Sequence, residues 1–120
     1  MLRYFFGAPG VTDNHVLQCE GDARQELPRW DGSPSFRVGF AWGEGLTSKS
    51  LALASALIWA SCKDPLLARH AAEDFVLDIV ADLTPAWCLD EDSICVWLEA
   101  YVLTHRSPQL QTGLPRRNGR

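Results

Sequence analysis

The sequence predicts an α+β domain, a small antiparallel sheet of two or three strands followed by a layer of three helices. Three observations carry this. Two short strand-like stretches near the start are separated by turn chemistry, "PGVTDN". From Thr47 onward the apolar spacing changes from period two to helical. The chain has 120 residues, 47% of them hydrophobic, enough for one core and no more. Residues 1–105 read as that single domain. Residues 106–120, "RSPQLQTGLPRRNGR", read as a basic Pro/Gly/Arg-rich tail with too few apolar residues to fold alone.

In chain order, "RYFFG" (3–7) is aromatic-rich and reads as the first strand. "HVLQCEG" (15–21) alternates and stops at Gly21, so it reads as a second strand hairpinned to the first. Residues 22–39 hold two Pro, two Gly and scattered charge, which predicts an irregular connection anchored by Trp30. "FAW" (40–42) is the candidate third strand.

The helical half begins with "SKSLALASALIWASCK" (48–63), with Thr47 or Ser48 as its N-cap. Asp64-Pro65 is a cap followed by Pro at the first helical position, which starts a second helix running to about Leu83, ahead of Pro85. Asp90 as cap, with Leu89 and Ile94 as a hydrophobic staple around it, starts a third helix that continues to about Thr104, with Trp97, Leu98 and Tyr101 inward.

The second of these helices poses the question of function. Within "DFVLDIVADL" (74–83), Asp74, Asp78 and Asp82 recur at every fourth residue. On one continuous helix they would lie about 40° apart, filling the single wet stripe of an otherwise apolar cylinder. Like charges at that spacing repel. A wet face must be polar, but Lys, Gln or Asn would serve as well as Asp. The expectation is that 66–83 is the central helix, with Phe75, Ile79 and Val80 buried and Asp74 and Asp78 exposed.

The net charge of −4 conceals a segregation. Residues 1–69 carry seven basic and seven acidic residues; residues 70–105 carry eight acids and neither Lys nor Arg; residues 106–120 carry four Arg and no acid. Such asymmetry speaks about partners rather than fold. A net acidic domain argues against nucleic-acid binding by the folded part. No apolar run approaches the length of a membrane span, and no targeting segment is read at the N-terminus, so the expected location is cytoplasmic. Cys19, Cys62, Cys88 and Cys95 form no C-x-x-C pair and sit among apolar neighbours, which reads as buried structural thiols. Cys88, Cys95 and His105 match no usual zinc spacing, so neither metal nor cofactor is expected.

"GFAWGEGLTSKSLALASAL" (39–57) and "AWCLDEDSICVWLEAY" (86–101), together with "RYFFG" and "HVLQCEG", resemble the DUF6166 family of small bacterial and phage proteins of unknown function. The matching residues are Tyr4, Gly7, Gly21, Gly39, Phe40, Trp42, Gly43, Leu51 to Ala54, Trp87, Leu89 and Ile94. The resemblance covers about residues 3–103, leaving the Arg-rich tail outside it. It implies a shared fold and a setting of phages, plasmids and other mobile elements. It implies no catalytic residue.

"WGEGLTS" (42–48) precedes a helix, whose N-terminal N–H groups can hold a phosphate, but no Walker lysine follows and Glu44 would repel an anion. Asp90, Glu91 and Asp92 complement the positive end of a helix. Ser55 and Ser61 have no partner in a recognisable triad motif. These readings point to a non-enzymatic acidic protein-binding module, expected to dock through Asp74, Asp78, Asp82, Asp90, Glu91, Asp92, Trp30, Arg116 and Arg117. The sharpest version is an anti-defence protein, of the anti-CRISPR kind, that occupies a basic nucleic-acid-binding surface on a host complex. The alternatives are a small enzyme or nucleotide-binding accessory protein using the turn at 43–48, and a structural subunit of a homo-oligomer, at its simplest a homodimer.

Overall fold

Alternation in the first residues closes into a hairpin, and the computed structural model, which describes residues 3–10, 14–28 and 39–105, extends it on both sides. Strand β1 (Arg3–Ala8) pairs antiparallel with β2 (His15–Glu20), with Phe5 opposite Gln18 and Gly7 opposite Val16. Gly21 takes a positive φ of 62° and turns the chain straight back into β3 (Ala23–Glu26). This strand occupies the start of the stretch 22–39 expected to be an irregular connection; residues 29–38 of that stretch lie outside the described residues. All four residues of β3 are exposed, so it carries no alternation for a sequence reading to detect. Polar edge strands of this kind are short and poor templates for further pairing.

"FAW" is not a strand. Phe40 is buried, and its neighbours are held by isolated bonds: the Gly43 N–H donates to the Val80 carbonyl at 3.0 Å, and the Trp42 indole N–H to the Pro85 carbonyl at 3.1 Å. The fourth strand, β4 (Trp87–Asp90), comes instead from the segment read as a helix staple. It lies antiparallel on the free edge of β1, giving the order β3-β2-β1-β4. Phe5, Gly7, Val16 and Trp87 face the helices; Tyr4, Phe6 and Cys88 face outward.

Helix α1 (Ser48–Cys62) starts at Thr47, whose side chain accepts from the Ser50 N–H while the Ser50 hydroxyl receives the Thr47 N–H, a reciprocal capping box. Its Leu53, Ala54, Ala56, Leu57, Ile58 and Ala60 are all buried. It packs against every later helix, so α1 is the hub that was expected at 66–83. Alanines at three of the buried positions let neighbouring backbones approach from several sides. Arg3 of β1 donates to the Ala60 carbonyl at 2.7 Å and pairs with Glu91 at 3.3 Å, tying the sheet to the end of α1 and the start of α4.

The long second helix is broken into three. Asp64 caps α2 (Pro65–His70) by accepting from the Leu66 and Leu67 N–H groups, with Pro65 in the first turn as expected. The chain bends at Ala71 and continues as α3 (Ala72–Asp78) and a 3-10 turn (Val80–Asp82). Ala71 and Ala72 are buried at the bend, where small side chains let both short helices settle on α1. Phe75, Val76 and Val80 are fully buried, but Ile79 is only partly so and Leu77 is 54% exposed. The run is therefore not one apolar cylinder with a single wet stripe, because the bends let each short piece bury one narrow face. Helix α4 (Glu91–His105) follows β4 directly, and among the described residues the helical layer holds four α-helices where three were expected.

Candidate functional site

Trp97 and Tyr101 stand four residues apart on α4, so they share a face. Their rings stack at 5.4 Å between centroids and 19° between planes. Phe75 of α3 meets the Trp97 ring edge-on at 5.0 Å and 82°, which fixes the indole against the core. With the ring so placed, its N–H donates to Asp78 Oδ2 at 2.8 Å. The Tyr101 hydroxyl donates to the His70 carbonyl at 3.1 Å, at the end of α2. Between α3 and α4, Asp78, Trp97 and Tyr101, with Asp74, Ala100 and Thr104, line a surface groove of about 340 Å³. Burial, and then the charge of Asp74, push the Tyr101 phenol above its ordinary pKa. The groove thus sets two acidic side chains against two aromatic rings, of which Tyr101 keeps its phenol proton more firmly than usual.

The six acids expected to form one surface are divided among three places. Asp74 and Asp78 are on the groove, Asp74 half-buried rather than exposed and Asp78 exposed. Asp82 is exposed beyond the helix break and does not line the groove. At the other end of α4, Asp90 accepts a hydrogen bond from the Ser93 hydroxyl, Glu91 is held by Arg3, and Asp92 is exposed. Asp78 thus has a structural reason to be an acceptor, and Glu91 a structural reason to be charged. Trp30, Arg116 and Arg117 lie outside the described residues. Trp97 and Tyr101, read from sequence as inward-facing core, are the site residues that reading missed. The detectable signal was their four-residue spacing on a helix that must lie beside the Asp-bearing one.

The glycine-rich turn closes on itself. The Ser50 hydroxyl donates to the Gly45 carbonyl at 3.0 Å while receiving the Thr47 N–H at 2.8 Å, and the Ser50 N–H goes to Thr47 Oγ1 at 3.0 Å. Two donors that an anion at this helix start would use are committed to the cap. The four cysteines are free thiols, but their burial differs from expectation: Cys19 is buried, Cys62 and Cys95 partly so, and Cys88 exposed because strand alternation turns it to the outer face. Desolvation raises the pKa of Cys62, Cys88 and Cys95, which disfavours the reactive thiolate. Among the described residues no group of His, Cys, Asp and Glu is placed to hold a metal ion, and no helix is long and apolar enough to cross a membrane.

A second constellation gathers the motif glycines and tryptophans. Trp87 lies across Gly7, where an added Cβ would fall 2.1 Å from the indole nitrogen, and Trp42 meets Trp87 edge-on at 5.5 Å and 84°. Gly43, at φ 79°, brings the chain into contact with the Val80 and Leu83 carbonyls. Among the described residues the buried Trp87 N–H has no hydrogen-bond partner. This is a packing knot between sheet and helices. In comparison with known proteins, residues 7–100 match the family described as "Family of unknown function (DUF6166)". No curated protein and no solved structure matches the chain.

Proposed function

The chain belongs to the DUF6166 family, and we propose that it is a non-enzymatic protein-binding module that docks, through its acidic helical region, on a basic nucleic-acid-binding surface of a host complex. The carrying observation is the charge layout: eight acids without one Lys or Arg across residues 70–105. Clustered like charges attract an oppositely charged surface over about a Debye length, ~8 Å at physiological salt, and so raise the association rate. In its sharpest form the module is an anti-defence inhibitor from a mobile element, acting in the cytoplasm. The test compares the wild-type chain with the D74N/D78N/D82N variant in capture from a bacterial lysate at low and high salt. The wild type should retain a nucleic-acid-binding complex at low salt, and added DNA or RNA should compete for it. The variant should lose that complex while keeping its fold. Equal capture by both proteins would remove the acidic region from the function.

A second reading, a homo-oligomer subunit, is favoured by one feature. On another side of α4, Cys62, Leu67, Cys95, Leu98, Val102 and Leu103, with Glu99 as the one charged residue, line a mainly apolar groove of about 660 Å³ in which Leu103 is 73% exposed. Large exposed apolar patches mark interaction sites. Sedimentation over a range of concentrations decides it: a dimer weakened by Leu103→Glu supports this reading, and a monomer throughout dismisses it.

A further inference from the structure

Acidic charge alone attracts any cation; the groove between α3 and α4 is more selective. It has two aromatic walls, Trp97 and Tyr101, stacked at 5.4 Å, and two carboxylates, Asp74 and Asp78, on the facing helix. Its volume, about 340 Å³, is ample for one long side chain. We infer that this groove is a receptor for an arginine side chain presented by the partner, an inference that rests on the acidic docking reading.

The chemistry distinguishes arginine from lysine. A guanidinium is planar, weakly hydrated and carries five N–H donors, so it can lie along an aromatic face and hydrogen-bond a carboxylate at the same time. An ammonium is compact and strongly hydrated, and gains less from rings. Asp78 spends Oδ2 on the Trp97 indole, which orients the carboxylate and leaves Oδ1 as a second acceptor oxygen. Asp74 and Tyr101 keep other contacts as well, and a carboxylate with about four acceptor sites can hold these and a guanidinium together. Phe75 behind Trp97 and the His70 carbonyl on the Tyr101 hydroxyl hold both rings in place before anything binds. Pre-organisation of this kind lowers the ordering cost of association. Basic nucleic-acid-binding surfaces are rich in arginine, so the groove gives such a surface a specific point of attachment.

The experiment uses the full chain with oligoarginine and oligolysine peptides of equal length, following the indole N–H resonance of Trp97 by NMR during titration. Oligoarginine should move that resonance and bind about fivefold or more tightly than oligolysine. The D74N/D78N variant keeps an acceptor for the indole but lowers the charge, and should lose that preference. D82N/D92N, equal in charge change but off the groove, should keep it. Equal binding of the two peptides with no movement at Trp97 would overturn the arginine receptor and leave the acidic docking surface standing. Failure of both peptides to bind would sink both. A third outcome also counts against it: if Trp97 responds to added oligoarginine only after Arg106, Arg116, Arg117 and Arg120 are changed to Gln, the occupant is the chain's own tail and not a partner.

Discussion

Two tryptophans on either side of the molecule are used in opposite ways. Trp87 is buried at the sheet, lies against the bare backbone of Gly7, and leaves its N–H without a partner. Trp97 is half-exposed at the helical layer and spends its N–H on the Asp78 carboxylate. An unpaired buried N–H costs roughly 1–3 kcal/mol, so the packing around Trp87 must outweigh that loss. Around Trp97 the polar tip is satisfied and the rings stay accessible to solvent. The sheet side is therefore organised by shape and the α3–α4 side by chemistry, which is why the candidate site is sought at the second.

The largest effect should come from Phe75→Ala. It empties a fully buried position and removes the ring that supports Trp97, so urea unfolding should show a loss of about 3–5 kcal/mol. A loss under about 1 kcal/mol would mean that the α3 side rests on something other than this packing. Next is Gly7→Ala on the sheet side. The new methyl meets an indole, not a flexible chain end, so Trp87 has to move, with an expected loss of about 1–3 kcal/mol and a change in near-ultraviolet dichroism. An unchanged spectrum would show that the sheet yields and the indole does not.

The smallest effects sharpen the contrast directly. Trp87→Phe discards an N–H without a partner among the described residues, so its cost should be pure packing. Trp97→Phe removes a hydrogen bond to a carboxylate, worth about 1 kcal/mol where water can replace it. The penalty should therefore be tied to that partner: in a double-mutant cycle with Asp78→Ala, Trp97→Phe should couple by about 1 kcal/mol and Trp87→Phe not at all. If neither variant couples to Asp78, the two tryptophans are not used differently.

Several elements were legible because their causes lie within a few residues. The hairpin pairing of β1 with β2, Thr47 before α1 and Asp64-Pro65 before α2 all stand where their types predict. Strand β3 was illegible because four exposed residues leave no pattern, and β4 because "WCLD" just ahead of an acidic helix start also fits a staple. The bends at Ala71 and Ile79 were hidden in a run apolar enough to fill one continuous helix. On the site itself, the acids were visible, whereas Trp97 and Tyr101, read as inward, do pack partly against the core but also line the groove, since four-residue spacing fits a buried face and a groove wall equally well.

Local causes, then, belong to the sequence by itself: an α+β composition, where helices begin, that Phe75 and Val80 are interior, and that charge is segregated along the chain. These follow from steric and hydrogen-bonding preferences that act over a turn or two. The tertiary structure alone decided which strand completes the sheet, that α1 and not the 66–83 run is the hub, and which Asp carries what. Asp74, Asp78 and Asp82 are equivalent on a helical wheel. They differ because the chain bends between the second and third, and because α4, folded back from β4, sets an indole against Asp78 from nineteen residues away. No periodicity within one segment contains that contact, because its partner's position is fixed by the strand pairing of β4 with β1.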